Sequence, residues 1–152
     1  MVKKHRCFPN LNLILPFLLE LDLRIIINPS GGNVGIGTLD PKSKLEVNGS
    51  FTNASAYNSG AATAILFGNS NLTYTTASPG AFNLQGMKDG GTYTLAVQGT
   101  TANTSSFTGL NPAGTSFVFL SANNGQTVVL KQTIYTFIVM GTTVYYYMEA
   151  GF

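Results

Sequence analysis

Charge is what this chain most lacks. Asp, Glu, Lys and Arg make up 9% of its 152 residues, against roughly a quarter in an ordinary soluble domain. The shortage is uneven: of 8 basic and 6 acidic residues, only Lys88, Asp89, Lys131 and Glu149 lie beyond residue 49. Tryptophan is absent, and cysteine and histidine occur once each, as Cys7 and His5. A single cysteine excludes an intramolecular disulfide framework. With one histidine, a Ser/His/Asp relay or a Cys/His pair would need His5 to dock across the molecule. A metal centre needs several His, Cys or carboxylate ligands at short spacing, and no such spacing occurs. Glycoside hydrolysis needs two carboxylates flanking one bond. The chain beyond residue 49 offers only Asp89, inside the turn signal Lys88-Asp89-Gly90-Gly91, and Glu149. Asp is a common turn former, so Asp89 reads as one. The net charge of +2 comes without a basic stripe interleaved with aromatics, so a nucleic-acid surface is not expected. The expectation is a protein without catalytic residues, metal or cofactor.

Long apolar runs are also missing. Residues 1–23 come nearest, with Lys3, Lys4 and Arg6 ahead of Leu11, Ile14, Phe17 and Leu19. Pro9, Asn10, Asn12 and Pro16 interrupt the run, and a membrane helix needs about 20 mostly apolar residues. A signal peptide also begins with basic residues, but no small-residue cleavage site follows here. This stretch is treated as an atypical apolar segment, either a short amphipathic helix or a piece that more chain normally precedes, and membrane insertion is not expected.

What is abundant is Thr, Ser, Asn and Gly, set among aromatic and β-branched residues. Disorder combines high net charge with few aromatics, and neither applies. Strands with one buried face alternate apolar and polar residues, and such runs recur. Arg24–Asn28 is a β-branched run closed by Pro29-Ser30-Gly31-Gly32, and residues 50–63 read as an Asn/Ser-rich linker. From residue 64 strands are expected at Ala64–Phe67, Leu72–Thr75, Ala81–Leu84, Thr92–Gln98, Ser105–Thr108, Ser116–Leu120 and Thr127–Leu130. Ile134–Met140 and Thr143–Met148 flank Gly141-Thr142, which suits a two-residue type II′ hairpin turn. Turns at this spacing with no helical pattern predict an all-β sandwich or jelly roll over 64–152. Trimerisation would add burial to this small unit and cover its edges.

The most specific string is NVGIGTLDPKSKLEVNG at residues 33–49. Val34 and Ile36, then Leu45 and Val47, alternate with small or polar residues, and Asp40-Pro41 marks the bend between the two runs. Gly35 and Gly37 would let another backbone approach closely. The glycines lack GxGxxG spacing, a following helix and a Gly-Lys-Ser/Thr, so they do not form a phosphate cradle. The string resembles the stem-to-head junction of phage tail fibres, with its recurrent NVGIGTTxPxxKLxVxG. A second resemblance lies further on. Asn71-Leu72-Thr73, Gly90-Gly91-Thr92-Tyr93-Thr94-Leu95, Tyr135-Thr136-Phe137 and Gly141-Thr142-Thr143-Val144-Tyr145 resemble the terminal β domain of the same proteins. Together the two cover roughly residues 24–152.

The resemblance implies a short strand-turn-strand stem at 24–49 carrying a β head, assembled as a homotrimer with other tail proteins. It implies a structural virion protein that meets a glycan or protein receptor on the host surface. A bacterial surface or pilus-tip adhesin with the same module is the alternative, and an enzyme acting on surface polysaccharide is a third reading. Fibres with this junction often continue into a chaperone domain that cleaves itself through a Ser–Lys pair. Nothing here matches that domain, so self-cleavage is not implied. Contact residues are expected on turns, where loops carry function, at Asn111–Gly114 and at Asn123, Asn124 and Gly125. Tyr145, Tyr146 and Tyr147 occupy one strand, with Tyr146 facing away from the other two. One face would serve the core and the other a subunit interface or a receptor.

Overall fold

A computed structural model describes residues 32–152, which form strands, turns and loops without a helix. The stretch 1–23 and the expected strand Arg24–Asn28 lie outside the described residues. The chain divides into two units between Phe51 and Thr52.

In the first unit, β1 (Val34–Ile36) and β2 (Leu45–Val47) pair in parallel, with Val34 opposite Leu45 and Ile36 opposite Val47. The bend at Asp40-Pro41 therefore carries the chain around a loop and back alongside itself, rather than reversing it as a hairpin would. Side chains hold the loop. Asn33 Nδ2 donates to the Pro41 carbonyl at 2.8 Å, and the Lys42 amide donates to the Glu46 carboxylate at 2.6 Å. Lys42 also pairs with Asp40. Backbone bonds from Val34 to Lys44 (2.9 Å) and from Asn48 to Ile36 (2.8 Å) close both ends.

The second unit has nine strands. They are β3 (Tyr57–Asn58), β4 (Ala64–Leu66), β5 (Leu72–Thr75), β6 (Ala81–Gln85), β7 (Thr92–Gln98), β8 (Ser106–Gly109), β9 (Val118–Ser121), β10 (Gln132–Met140) and β11 (Thr143–Ala150). The first six alternate between two sheets: β3, β5 and β7 stack in parallel in one, and β4, β6 and β8 in the other. This is a β-solenoid-like stack. The larger sheet then continues through the β10–β11 hairpin, giving the order β3-β5-β7-β10-β11-β9. The all-β expectation holds, whereas a sandwich or jelly roll is not shown. The difference has a physical source: the turns between the first six strands of this unit are corners that pass the chain to the other sheet, so among these six no two strands of one sheet are consecutive. Residues 57–58, within the stretch read as a linker, form β3.

Alternation follows from the pleat. Along β7, Tyr93, Leu95 and Val97 are buried, and along β10 Tyr135, Phe137 and Val139 are buried. Facing them from the smaller sheet are Ile65, Phe82, Leu84 and Phe107. Phe107 lies at the centre, with its ring 4.9 Å from those of Tyr135 and Phe137 and 5.2 Å from that of Tyr146. Buried threonines hold the corners. The Thr75 hydroxyl donates to the Gly60 carbonyl at 2.8 Å and accepts from the Ala77 amide at 3.0 Å. Threonine thus gives the interior hydrogen bonds without charge, which accounts for part of the unusual composition.

Residues 127–130 do not form the expected strand. Thr127 is buried and its hydroxyl donates to the Thr101 carbonyl at 2.6 Å, while the Leu130 amide donates to Gly99 at 2.8 Å. A turn from Val128 to Lys131 folds over Gly99 and places Leu130 at φ 63°.

Candidate functional site

The tip of the β10–β11 hairpin is closed from outside. Met140 pairs with Thr143, leaving Gly141-Thr142 as the two-residue turn, and Gly141 has φ 63°. A positive φ at the first central position alone is the type II′ geometry. Asp89 Oδ1 accepts the Gly141 amide at 2.7 Å, and the Gly90 amide donates to Val139 at 3.0 Å. Asp89 therefore ties its own turn to the hairpin tip. Glu149 sits near the other end of β11, opposite Ile134. Eight residues of strand separate it from Gly141, about 25 Å at the usual rise. Within one chain these two carboxylates cannot flank a glycosidic bond, which requires roughly 5–10 Å.

The asparagines expected at a receptor are engaged within the chain. Asn111 Oδ1 accepts from the amides of Ala113 (3.0 Å) and Thr115 (2.9 Å), which shapes the turn that ends β8. Asn123 pairs with Met148 as a strand residue would: Nδ2 donates to its carbonyl at 2.9 Å and Oδ1 accepts its amide at 2.8 Å. Asn124 Nδ2 donates to the Ser105 carbonyl and to the Tyr146 hydroxyl, both at 3.0 Å. These side chains anchor loops to β11 and to the core.

The tyrosines divide between two faces. Tyr146 is buried among Phe107, Phe119 and Phe137. Tyr145 and Tyr147 lie on the outer face of the six-stranded sheet, 47% and 43% exposed. There Tyr145 stands between Leu120 of β9 and Ile138 of β10. A shallow recess of about 310 Å³ opens at this place, lined by Leu120, Ile138, Tyr145 and Tyr147. A second recess of about 330 Å³ lies beside β8, between Asn83, Thr108, Leu110 and Ser116.

Beneath the Asn124 loop the interior keeps polar atoms without partners. The Tyr135 and Ser105 hydroxyls and Asn124 Oδ1 are buried in this state. Burial pushes the Tyr135 phenol above its ordinary value, and the neighbouring Ser105 tempers that rise although the two hydroxyls do not meet in hydrogen-bond geometry.

In the first unit the motif residues occupy one small sheet. Val34, Ile36, Leu45 and Val47 share a face by register, with Ile36 57% and Leu45 60% exposed. Pro41 is half-buried and caps the loop through its carbonyl. A Cβ on Gly35 would come within 2.5 Å of the Thr38 carbonyl oxygen, and one on Gly37, at φ 73°, within 2.9 Å of the Asn48 carbonyl oxygen. Both glycines thus stand where backbone approaches closely within the chain.

Among the described residues no three His, Cys, Asp or Glu side chains gather as metal ligands, and no helix is long and apolar enough to cross a membrane. No protein-family model, curated protein or solved structure matches this chain. What sequence reasoning missed is the extent of the outer face. Leu72, Tyr74, Val118 and Leu120 join Tyr145 and Tyr147 only through the parallel pairings of β5 with β7 and of β9 with β11. For Val118 and Leu120 the signal in the sequence is that the alternate positions, Phe117 and Phe119, are already apolar; Leu72 and Tyr74 alternate with Thr73 and Thr75 and read as the buried face instead.

Proposed function

We propose that this chain is a structural virion protein, the distal part of a phage tail fibre that takes part in attachment to the host surface. It acts in the virion as a homotrimer held among other tail proteins, and its partner on the host is a surface glycan or protein. The carrying observation is the junction motif at residues 33–49. Its four aliphatic side chains share one face of a two-stranded sheet, and Ile36 and Leu45 are largely exposed in a single chain. The two strands among the described residues of this unit are too few to be stable alone, and identical neighbours around an axis would cover that face. Three identical weak contacts would gain strength through effective concentration.

Two measurements on the full chain test the proposal. Light scattering should give three times the 16.1 kDa of one chain. Purified protein added to host cells should compete with the parent virus for adsorption. A monomer at all concentrations would remove the assembly, and adsorption unaffected by saturating protein would remove the attachment role. Ile36→Lys and Leu45→Lys should lower the mass if the junction holds the chains together.

A further inference from the structure

The outer face of the six-stranded sheet has no covering element in its own unit, and it is apolar across several strands. Its cross-strand rows follow from the register. In one row Leu120, Tyr145 and Ile138 lie side by side. In the next, Tyr147, Thr136, Thr94 and Leu72 do so. A third runs from Glu149 through Ile134 and Ala96 to Tyr74. Val118 and Met140 extend the face at the hairpin end, each paired with Thr143. Seven large apolar side chains on this face are between 41% and 62% exposed.

We infer that this face packs against the same face of the other two copies of the chain about the threefold axis. The inference rests on the assembly part of the reading above and adds where in the second unit the copies meet. Area is the first argument. Those side chains present on the order of 700 Å², close to the roughly 800 Å² per partner of a standard interface. Monomeric soluble proteins rarely leave apolar patches above about 300–600 Å² open. Charge is the second. From Thr52 onward Lys88 and Lys131 balance Asp89 and Glu149, so no net repulsion opposes self-association, and a charged partner would find no complementary field. Glu149 alone brings a charge to this face, at its margin.

Chemistry is the third argument. Thr94 and Thr136 sit side by side in the middle row, flanked by Tyr147 and Leu72. Their hydroxyls can donate to and accept from the same groups on another copy, so the face is complementary to itself. Exposed tyrosines supply large contact area at low entropic cost. The recess at Tyr145 offers a receiving hollow for a side chain of the neighbour.

The test uses the full chain. Wild type should weigh three times 16.1 kDa at micromolar concentration, and Leu120→Lys with Tyr147→Lys should weaken assembly by at least about 100-fold. A retained melting transition shows that the variant folds. Tyrosine iodination of wild type provides a measurement without mutation: Tyr145 and Tyr147 should be protected in the assembly and reactive after dilution. If the double variant keeps the wild-type mass, the inference fails. It also fails if both tyrosines react equally at every concentration, or if they are protected in a monomer, where the chain covers its own face. An assembly abolished by Ile36→Lys but untouched by the face variants would sink this inference and leave the fibre reading standing. Protection by added glycan at concentrations where the protein is monomeric would assign the face to a receptor instead.

Discussion

Gly99 and Tyr135 show how far single residues decide this fold. The carbonyls of Val128 and Lys131 stand where a Cβ on Gly99 would be, the second of them 2.8 Å away. Both belong to the turn that replaced the strand expected at Thr127–Leu130. Gly99→Ala should therefore cost roughly 3 kcal/mol, the upper range for forcing atoms into a packed site, measured as a shift in the urea midpoint. Tyr135 gives a pH-dependent case. Its folded-state value lies above the ordinary phenol value because burial disfavours the phenolate, so the folded state keeps this proton where the unfolded chain releases it. The resulting stability is complete below about pH 10 and is lost as pH rises from there through the folded value. Tyr135→Phe should flatten that alkaline loss in thermal melts. At neutral pH it should leave stability equal or higher, since it removes a buried hydroxyl without a partner. Neither residue was legible in the sequence. A glycine before Thr-Thr reads as any turn glycine, and the carbonyls that crowd it come from a segment about thirty residues away.

At the scale of elements, periodicity performed well and connectivity did not. Thr92–Gln98 alternates cleanly, and the hairpin around Gly141-Thr142 carries its own turn chemistry, so both appear in the structure as the residues imply. Strand partners were hidden because they depend on corners. The corner after β5 turns on the Thr75 hydroxyl, which accepts from the buried Ala77 amide. Thr75→Val keeps the shape and the β preference but leaves that amide without its acceptor. The expected loss is about 2 kcal/mol, with early hydrogen exchange at Ala77 and Thr76 as the signature. A threonine that makes a corner is indistinguishable in sequence from one that faces water, which is why these strands read as parts of a sandwich or jelly roll. The asparagine turns have partners that the sequence hides in a related way. Asn111, Asn123 and Asn124 occupy loops, as a receptor site would, yet their amides serve Thr115, Met148 and Tyr146.

For the whole molecule, scarcity of charge is the dominant property, and it sets how assembly should respond to solvent. Burial of Leu120, Tyr145 and Met140 against a second copy would be driven by apolar area rather than by ion pairs. Raising sodium chloride from about 50 mM to 500 mM shortens the screening length to a few ångströms and should leave the assembled mass unchanged. Ammonium sulfate should strengthen the assembly, because excluded salts favour burial. A mass that falls with sodium chloride would mean that Asp40, Lys42, Lys44 and Glu46 of the first unit hold the copies together instead.

The windings of the stack have one further consequence. Tyr57 pairs with Thr73, Ala64 with Asn83, Leu72 with Thr94 and Ala81 with Ser106, so successive turns need 16, 19, 22 and 25 residues. Regular solenoids tolerate gain or loss of whole repeats because every repeat fits every other. Here no turn can stand in for its neighbour, and duplicating one would leave the next corner out of step with the sheet beneath it. Duplication or deletion of a single winding is therefore expected to unfold the unit, whereas changes in side chains and loop tips should be tolerated.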